Sequence, residues 1–448
     1  MSFQSLSNDV LGLILLEVHK SSRQTLFSTL RTSKALHDST KPLIYRDCVL
    51  DLSDSKLDET NGRIASWIGT ETEVLSYIRW LTIVDDVKPG PWYCPANRGK
   101  NKDEFKYSAL LNLLSQLRGL VKFTFALHEP IPVYLLDTLD SSQPAIQLHI
   151  RNWTRKSMST PFGDPGELTL AKSSLLRTIQ ASVHDGNDEI DLQRAAFMRI
   201  VTLAPNLESY NWSSRSKRGC VFREMSPEFY EEAYRLEKEF NVDRPVKKAL
   251  KAIHINHEVS SVKDQAKIVD LRRLKRLGGI HISRNVDEGL KVIFSSLKAI
   301  DLRVKVPTWT TDFDPKSVQS FLCSLPSLEE LSITDGLEYI DLTFLLSYHG
   351  STLQTLHLHE TETTNLESLR RTLSLDDLRL IRDLCPQLYD LGIDISYIRL
   401  QEILVQVGEQ DRETSLGRVA YWVRYEKMMR TWYRLENGVV VASSKPKK

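Results

Sequence analysis

The stretch Leu325-Pro-Ser-Leu328-Glu-Glu-Leu331-Ser-Ile333 contains the pattern on which most of the chain is built. Leu331 and Ile333 are separated by one polar residue, so they face the same side of a short strand. Leu325 and Leu328 stand just before that strand, where the chain turns inward. The preceding residues, Ser317–Ser324, have helical periodicity and return the chain to the start of the strand. This stretch therefore predicts a unit of one helix and one strand.

Similar units recur along the chain and predict a stacked array of class α/β. The positions that we take as equivalent are Leu50, Leu81, Phe123, Leu148, Ile179, Tyr210, Ile253, Ile280, Ile300, Leu331, Leu356 and Leu391. Each unit can bury its apolar side only against its neighbours, so we expect a parallel sheet within an irregular solenoid. The pattern resembles the leucine-rich-repeat family, without the asparagine ladder of its regular members. A second helix of this kind is expected at Asp376–Leu384.

Three insertions interrupt the array, which we assign to residues 48–396. They lie near residues 85–106, 151–167 and 213–246, and the third includes a predicted helix, Pro227–Glu239. Insertions in repeat proteins often collect on one binding face. The alternative, which we prefer for any single loop, is surface variation that is tolerated without any function.

Residues 1–47 precede the array and predict three short helices. Ser7 is expected to cap the first helix, and Ser33 opens the third, which should end before Pro42 because a proline disfavours helical geometry in the residue before it. About forty residues cannot bury a self-sufficient core. The helices therefore need a partner protein or a neighbouring domain.

This segment resembles an F-box of the fungal type, in its Leu6-Ser-Asn-Asp-Val-Leu11 start and its Pro42-Leu-Ile-Tyr-Arg46 end. The resemblance implies a three-helix module that docks on the Skp-type adaptor of a cullin–RING ubiquitin ligase. The residues that would supply docking or core contacts are Leu6, Val10, Leu11, Ile14, Leu26, Leu30 and Leu36. Alternatively, residues 6–46 simply cover the open end of the solenoid.

The last segment, residues 397–448, is expected to be helical with a short polar tail. The candidate helices are Tyr397–Val407 and Leu416–Leu435. The second has a stripe of tryptophan and methionine that would cover the last strand.

Composition excludes several classes of protein. A net charge of +1 over 448 residues gives no reason to expect nucleic acid as the main partner. The five cysteines have neither zinc nor redox spacing, and no apolar run is long enough to span a bilayer. We therefore expect no membrane association and a place in the cytoplasm, the nucleus or both. The phosphate-binding, zinc-protease and nucleophile-elbow motifs are missing, which indicates a protein without catalytic activity, cofactor or metal.

Histidines recur at polar positions of the predicted strands, where side chains point away from the core. If the alignment of units holds, His254, His281 and Asp301 lie side by side on consecutive strands, about 4.8 Å apart. Such a row would bind an acidic or polar substrate motif, respond to pH or hold a metal; the alternative is ordinary solvated residues. The candidate substrate face is His149, His254, His281, Asp301, Arg303, His357 and His359.

Together these features predict the substrate-recognition adaptor of an SCF-type ubiquitin ligase. The helical module would bind the Skp-type adaptor and through it the cullin, and the solenoid would hold a protein substrate. The alternative is an interaction scaffold that does not engage a ubiquitin ligase.

Overall fold

In the computed structural model, the chain divides into two compact units, residues 1–244 and 245–448. The structure describes residues 8–85, 103–142, 145–155, 164–184, 189–215, 247–258, 262–282, 293–304, 313–360, 373–396, 418–424, 430–436 and 439–443. Both units are built mainly from strands that alternate with helices.

Within its described residues, unit 1 begins with three helices and continues with six strands, which alternate with further helices. The helices are α1 (Asn8–Ser21), α2 (Arg23–Thr29) and α3 (Lys34–Arg46). The elements that follow are β1 (Asp47–Asp51), α4 (Leu57–Gly69), α5 (Glu73–Tyr77), β2 (Trp80–Val84), α6 (Asp103–Gln116), β3 (Lys122–Ala126), α7 (Val133–Ser142), β4 (Gln147–Ile150), α8 (Pro165–Lys172), β5 (Leu176–His184), α9 (Glu189–Leu203) and β6 (Ser209–Arg215). The six strands pair in chain order, and every pair is parallel.

Unit 2 continues the same alternation and ends in a meander. Its elements are β7 (Ala252–Glu258), α10 (Val262–Ile268), β8 (Arg276–Ile282), β9 (Ala299–Val304), α11 (Pro315–Ser324), β10 (Glu330–Thr334), α12 (Leu342–His349), β11 (Thr355–His359), α13 (Leu375–Leu384), β12 (Asp390–Ser396), β13 (Arg418–Arg424), β14 (Arg430–Glu436) and β15 (Val439–Ser443). Strands β7 to β13 pair in parallel, and β13, β14 and β15 pair antiparallel.

The core of each unit lies between the sheet and its helices. Leu331 and Ile333 of the quoted stretch are fully buried, as the alternation requires. Backbone hydrogen bonds at the strand starts link one strand to the next. For example, the Glu329 carbonyl accepts hydrogen bonds from the N–H groups of Gln354 and Thr355, at 2.8 and 3.1 Å. The predicted α/β class, with parallel strands in an open, solenoid-like arrangement, is confirmed.

Helix caps explain where the connecting helices begin. Ser374 and Asp377 form a capping box at the start of α13, and the Asp314 carboxylate accepts a hydrogen bond from Lys316 N–H at the start of α11. The predicted helices Ser317–Ser324 and Asp376–Leu384 are confirmed within one or two residues.

The three N-terminal helices share a small apolar core that continues into the first repeat of unit 1. The Tyr45 and Trp67 rings meet edge to face with centroids 6.3 Å apart, and the His19 ring nitrogen lies 3.1 Å from a carboxylate oxygen of Asp47. The core consists of Leu11, Leu15, Leu26 and Ile44. The module is therefore supported by the neighbouring strand and helix.

The prediction that the third helix ends before Pro42 is wrong. Helix α3 runs through Pro42 to Arg46. Ile44 is only 4% exposed and belongs to the core, while Leu43 and Tyr45 pack against it. We attribute the extra turn to this packing, which outweighs the hydrogen bond that a proline removes.

The predicted helix Leu416–Leu435 is also wrong within the described residues, which form strands β13 and β14. These segments are rich in valine, threonine and aromatic residues, which favour strands. The predicted helices Tyr397–Val407 and Pro227–Glu239 lie outside the described residues, as does Ser7. Helix α8 begins at Pro165, inside the predicted insertion 151–167.

Several predicted equivalences are shifted. Leu50 pairs with Ile83, so Cys48 is the partner of Leu81. Leu277, rather than Ile280, is the partner of both Ile253 and Ile300. Similarly, Ile179 faces Ile150 instead of Leu148. A two-residue shift leaves an alternating pattern unchanged, and a β-bulge adds a residue that a sequence pattern does not reveal.

Candidate functional site

The helical module exposes apolar side chains on the helices that enclose its core. Val10 and Leu13 of α1 are 42% and 65% exposed, and Phe27 of α2 is 48% exposed. Val10 and Leu13 are three residues apart and therefore share one side of their helix. We call Val10, Leu13 and Phe27 the helical patch.

The structure separates the described docking candidates into three groups, buried, half-buried and exposed. Leu11 and Leu26 are buried in the module core, Val10 is exposed, and Leu30 and Leu36 are half-buried against the core. Ile14 is also half-buried, and Leu6 lies outside the described residues. Leu13 and Phe27 are exposed apolar residues that the sequence did not single out as docking candidates. An apolar residue between Leu11 and Leu15 points away from the face that those two share, and that spacing was the available signal.

The predicted row of His254, His281 and Asp301 does not form. His254 pairs with Gly278, whereas His281 pairs with Arg303, one row further along the strands. Two irregularities accompany the shift: Gly278 and Gly279 of β8 lie opposite the single residue Asp301 of β9, and β7 has an irregularity between His254 and His257.

The His254 imidazole packs directly against the two glycines, an arrangement that we call the glycine seat of His254. A Cβ on Gly278 would lie 2.5 Å from Nδ1 of His254, and a Cβ on Gly279 would lie 2.7 Å from Nε2. Gly279 also has a φ of 69°, which favours glycine. Burial lowers the pKa of His254, and the Asp301 carboxylate opposes that shift. Thus His254 of β7 and Asp301 of β9 interact electrostatically across strand β8, which carries glycine at this position.

His357 repeats this arrangement on β11. A Cβ on Gly392, its partner on β12, would lie 2.8 Å from Cδ2 of the imidazole. The ring's Nε2 is 3.6 Å from a carboxylate oxygen of Asp390. On β10, Ser332 lies between the partners Asp301 and His357. The outer face of unit 2 is therefore a polar surface with two imidazoles lying over glycines.

The next row carries His281, Arg303 and His359. Arg303 donates a hydrogen bond from Nε to the Asp335 carboxylate at 2.7 Å, so its charge is already balanced. Glu360 accepts a hydrogen bond from Leu337 N–H at 2.6 Å. Burial raises the pKa of Glu360, that backbone hydrogen bond opposes the rise, and the Asp335 carboxylate adds to it.

His149, the remaining predicted face residue, lies in unit 1. Its Nδ1 is 2.8 Å from the hydroxyl oxygen of Thr178 on the next strand. Burial, with the nearby cations Lys122 and Arg151, lowers the pKa of His149 to about 4. The imidazole is therefore neutral at physiological pH.

Sequence reasoning missed a polar cluster at the carboxyl ends of β2 and β3. Nδ1 and the backbone N–H of His128 meet the two carboxylate oxygens of Asp85, at 2.7 and 3.1 Å. Lys106 and Tyr107 both bind the Glu129 carboxylate, Lys106 at 2.5 Å. The available signal was a pair of polar residues directly after β2, at 85–86, and a second pair, His128 and Glu129, one residue beyond the end of β3.

Within the described ranges, no three His, Cys, Asp or Glu side chains converge as metal ligands would. No helix in the described part of the chain combines the length and apolar character needed to cross a bilayer.

No protein-family model matches the sequence, and no curated protein matches it either. The function must therefore be argued from the surfaces themselves.

Proposed function

We propose that the protein is the substrate-recognition adaptor of an SCF-type ubiquitin ligase. Helices α1 to α3 form its F-box, which binds a Skp-type adaptor and through it the cullin. The α/β units form an irregular leucine-rich-repeat solenoid that binds a protein substrate. The chain forms and breaks no covalent bond, and it acts by bringing substrate lysines close to the ubiquitin-loaded enzyme.

The helical patch carries this proposal. Leu13 is 65% exposed, and the buried members of the module core among the described residues are Leu11, Leu15, Leu26 and Ile44. Exposed apolar side chains that share one side of a helix, as Val10 and Leu13 do, are typical of a surface that binds another protein. Each fully covered side chain of this type contributes about 1.5–3 kcal/mol.

The connection between module and repeat supports the proposal as well. Lys41 of α3 forms an ion pair with Glu73 of α5 at 2.9 Å, and α3 runs directly into β1. A partner bound to α1 and α2 is thereby held at a defined position relative to the strands of unit 1.

The alternative is a scaffold whose helices only cover the end of the repeat array. On that hypothesis the helical patch has no partner, and the outer faces of the strands account for all binding. The localisation, cytoplasmic or nuclear, follows the ligase in the first case and is open in the second.

Co-purification from cells separates the two functions. The variant Leu13→Asp with Phe27→Asp places charge at two of the three positions of the helical patch and leaves the buried core residues unchanged, and we expect it to lose both the Skp-type adaptor and the cullin. Phe344→Asp is the matched control, since Phe344 is 54% exposed on α12 of unit 2. Failure of the wild-type chain to recover an adaptor and a cullin would refute the ligase function in favour of the scaffold.

A further inference from the structure

The outer face of unit 1 carries a large exposed aromatic side chain. Trp80 of β2 is 43% exposed, and Val49 on the adjacent strand is 48% exposed. The guanidinium of Arg46 lies over the Trp80 ring, 5.3 Å from its centroid, which restricts the indole. An exposed, oriented tryptophan is the residue type that most often dominates a protein interface.

Three cations lie on the strands that follow β2 or directly after one of them, and the first of these cations is next to Trp80. Lys122 is the register partner of Trp80 on β3, so the two Cα atoms are about 4.8 Å apart. Arg151, directly after β4, is exposed, and neither Lys122 nor Arg151 has an ion-pair partner among the described residues. The Arg177 guanidinium donates to the Ser174 and Asn206 carbonyls, at 2.8 and 3.4 Å, and both acceptors are neutral.

His149 lies among these cations. Lys122, Arg151 and Arg177 all lower the pKa of its imidazole, and the Glu208 carboxylate opposes that shift. Nε2 of His149 is buried and has no hydrogen-bond partner within the described part of the chain. Thr124, its partner on β3, is only 3% exposed and lies between His149 of β4 and the strand β2 that carries Trp80.

We propose that this face of unit 1 binds an acidic segment of a partner protein that contains a large apolar residue. The apolar side chain packs on Trp80 and Val49, and the carboxylates bind Lys122, Arg151 and Arg177. Trp80 and Arg151 are two strands apart across the sheet and four residues apart along the strands, which places their Cα atoms roughly 16 Å from each other. A peptide of about five extended residues spans this distance. The inference rests on the proposed function in one respect: if the protein is a ligase adaptor, the acidic segment belongs to the ligase substrate.

A binding experiment on the purified full chain tests the proposal without any ligase component. The probe is a fluorescein-labelled twelve-residue peptide with one central phenylalanine flanked by glutamate and aspartate. We expect binding that weakens as salt is raised, because Arg151 is exposed and Lys122 and Arg177 are only half-buried. Trp80→Ala should weaken binding at least about tenfold, and so should Lys122→Glu combined with Arg151→Glu.

Two matched controls make the result specific. Lys275→Glu with Arg272→Glu makes the same charge change on exposed residues of unit 2 and should leave binding unchanged. A peptide with lysine in place of every acidic residue should not bind. Equal binding of both peptides, an equal loss in the unit 2 control, or tighter binding of a single-stranded oligonucleotide than of the acidic peptide would overturn the proposal.

The two proposals fail separately. If the acidic peptide does not bind while the Skp-type adaptor still co-purifies, the acidic-segment inference is wrong and the ligase function stands. If the peptide binds but no adaptor is recovered, the ligase function is wrong, and the surface belongs to a scaffold.

Discussion

Leu26 and Phe27 are neighbours in the sequence and have opposite surroundings. Leu26 is fully buried in the core of the helical module, whereas Phe27 is 48% exposed. The sequence analysis placed only Leu26 among the docking residues, because periodicity identifies apolar positions without separating a core face from a binding face. The two residues therefore offer a direct comparison of burial with binding.

Leu26→Ala should lower the free energy of unfolding by about 2–5 kcal/mol, because it leaves a cavity in a small core. Phe27→Ala should change it by less than about 1 kcal/mol. Urea unfolding of both variants measures the difference. Equal losses would show that Phe27 is a core residue and would remove it from the helical patch.

The glycine seat of His254 gives a second prediction at this scale. Gly278→Ala places a methyl group 2.5 Å from the His254 ring and should destabilise unit 2, and His254→Ala in the same chain should restore most of the loss. Gly279→Ala should not be rescued, because its Cβ also meets the Ile255 carbonyl at 2.6 Å and its φ is 69°. Thermal unfolding of the single and double variants measures both effects. Rescue of both glycine variants would contradict this geometry.

The pH dependence of stability tests His149. Its pKa is lowered to about 4 from an ordinary value of 6.5, so between these values the unfolded chain binds a proton that the folded chain does not. The contribution of His149 to stability is therefore complete above pH 6.5 and is lost as the pH falls toward 4. Urea midpoints at pH 7 and pH 5 should differ less in His149→Gln than in the wild type. An identical pH dependence in the two proteins would exclude this role.

At the scale of elements, the helices and strands that were predicted correctly are those set by local alternation of apolar residues and by capping residues. The helices α11 and α13 and the strands around Leu331 and Leu356 were predicted because each unit repeats the same local pattern. Strand register was not fully predictable, since the Gly278–Gly279 bulge depends on how the His254 ring packs. The C-terminal strands were missed because tryptophan and methionine spacing was interpreted as helical, although β13 is held by pairing with β12.

Helix α3 supplies a test at this scale. Pro42 lies inside the helix and removes one backbone hydrogen bond, so Pro42→Ala should raise the free energy of unfolding by about 1 kcal/mol or more. A helix that ended before Pro42 would gain nothing from this change. Urea unfolding measures the shift, and an unchanged or lower midpoint would contradict a continuous α3.

At the scale of the whole molecule, the candidate binding surfaces differ in how far the sequence predicted them. The three N-terminal helices were predicted from apolar spacing, but the exposure of Leu13 and Phe27 was found only when burial was known. The histidine face was predicted as one surface, yet His149 lies in unit 1 and the other members lie in unit 2. The site around Trp80 was not predicted, because its members come from separate strands and only strand pairing brings them together.

The central claim is that the helical patch binds a Skp-type adaptor, and calorimetric titration of the purified chain with purified adaptor tests it most directly. We predict a one-to-one complex that Leu13→Asp with Phe27→Asp weakens at least about a hundredfold, and that Phe344→Asp leaves unchanged. Absence of binding by the wild-type chain, or equal affinity of the helical-patch variant, would contradict the claim.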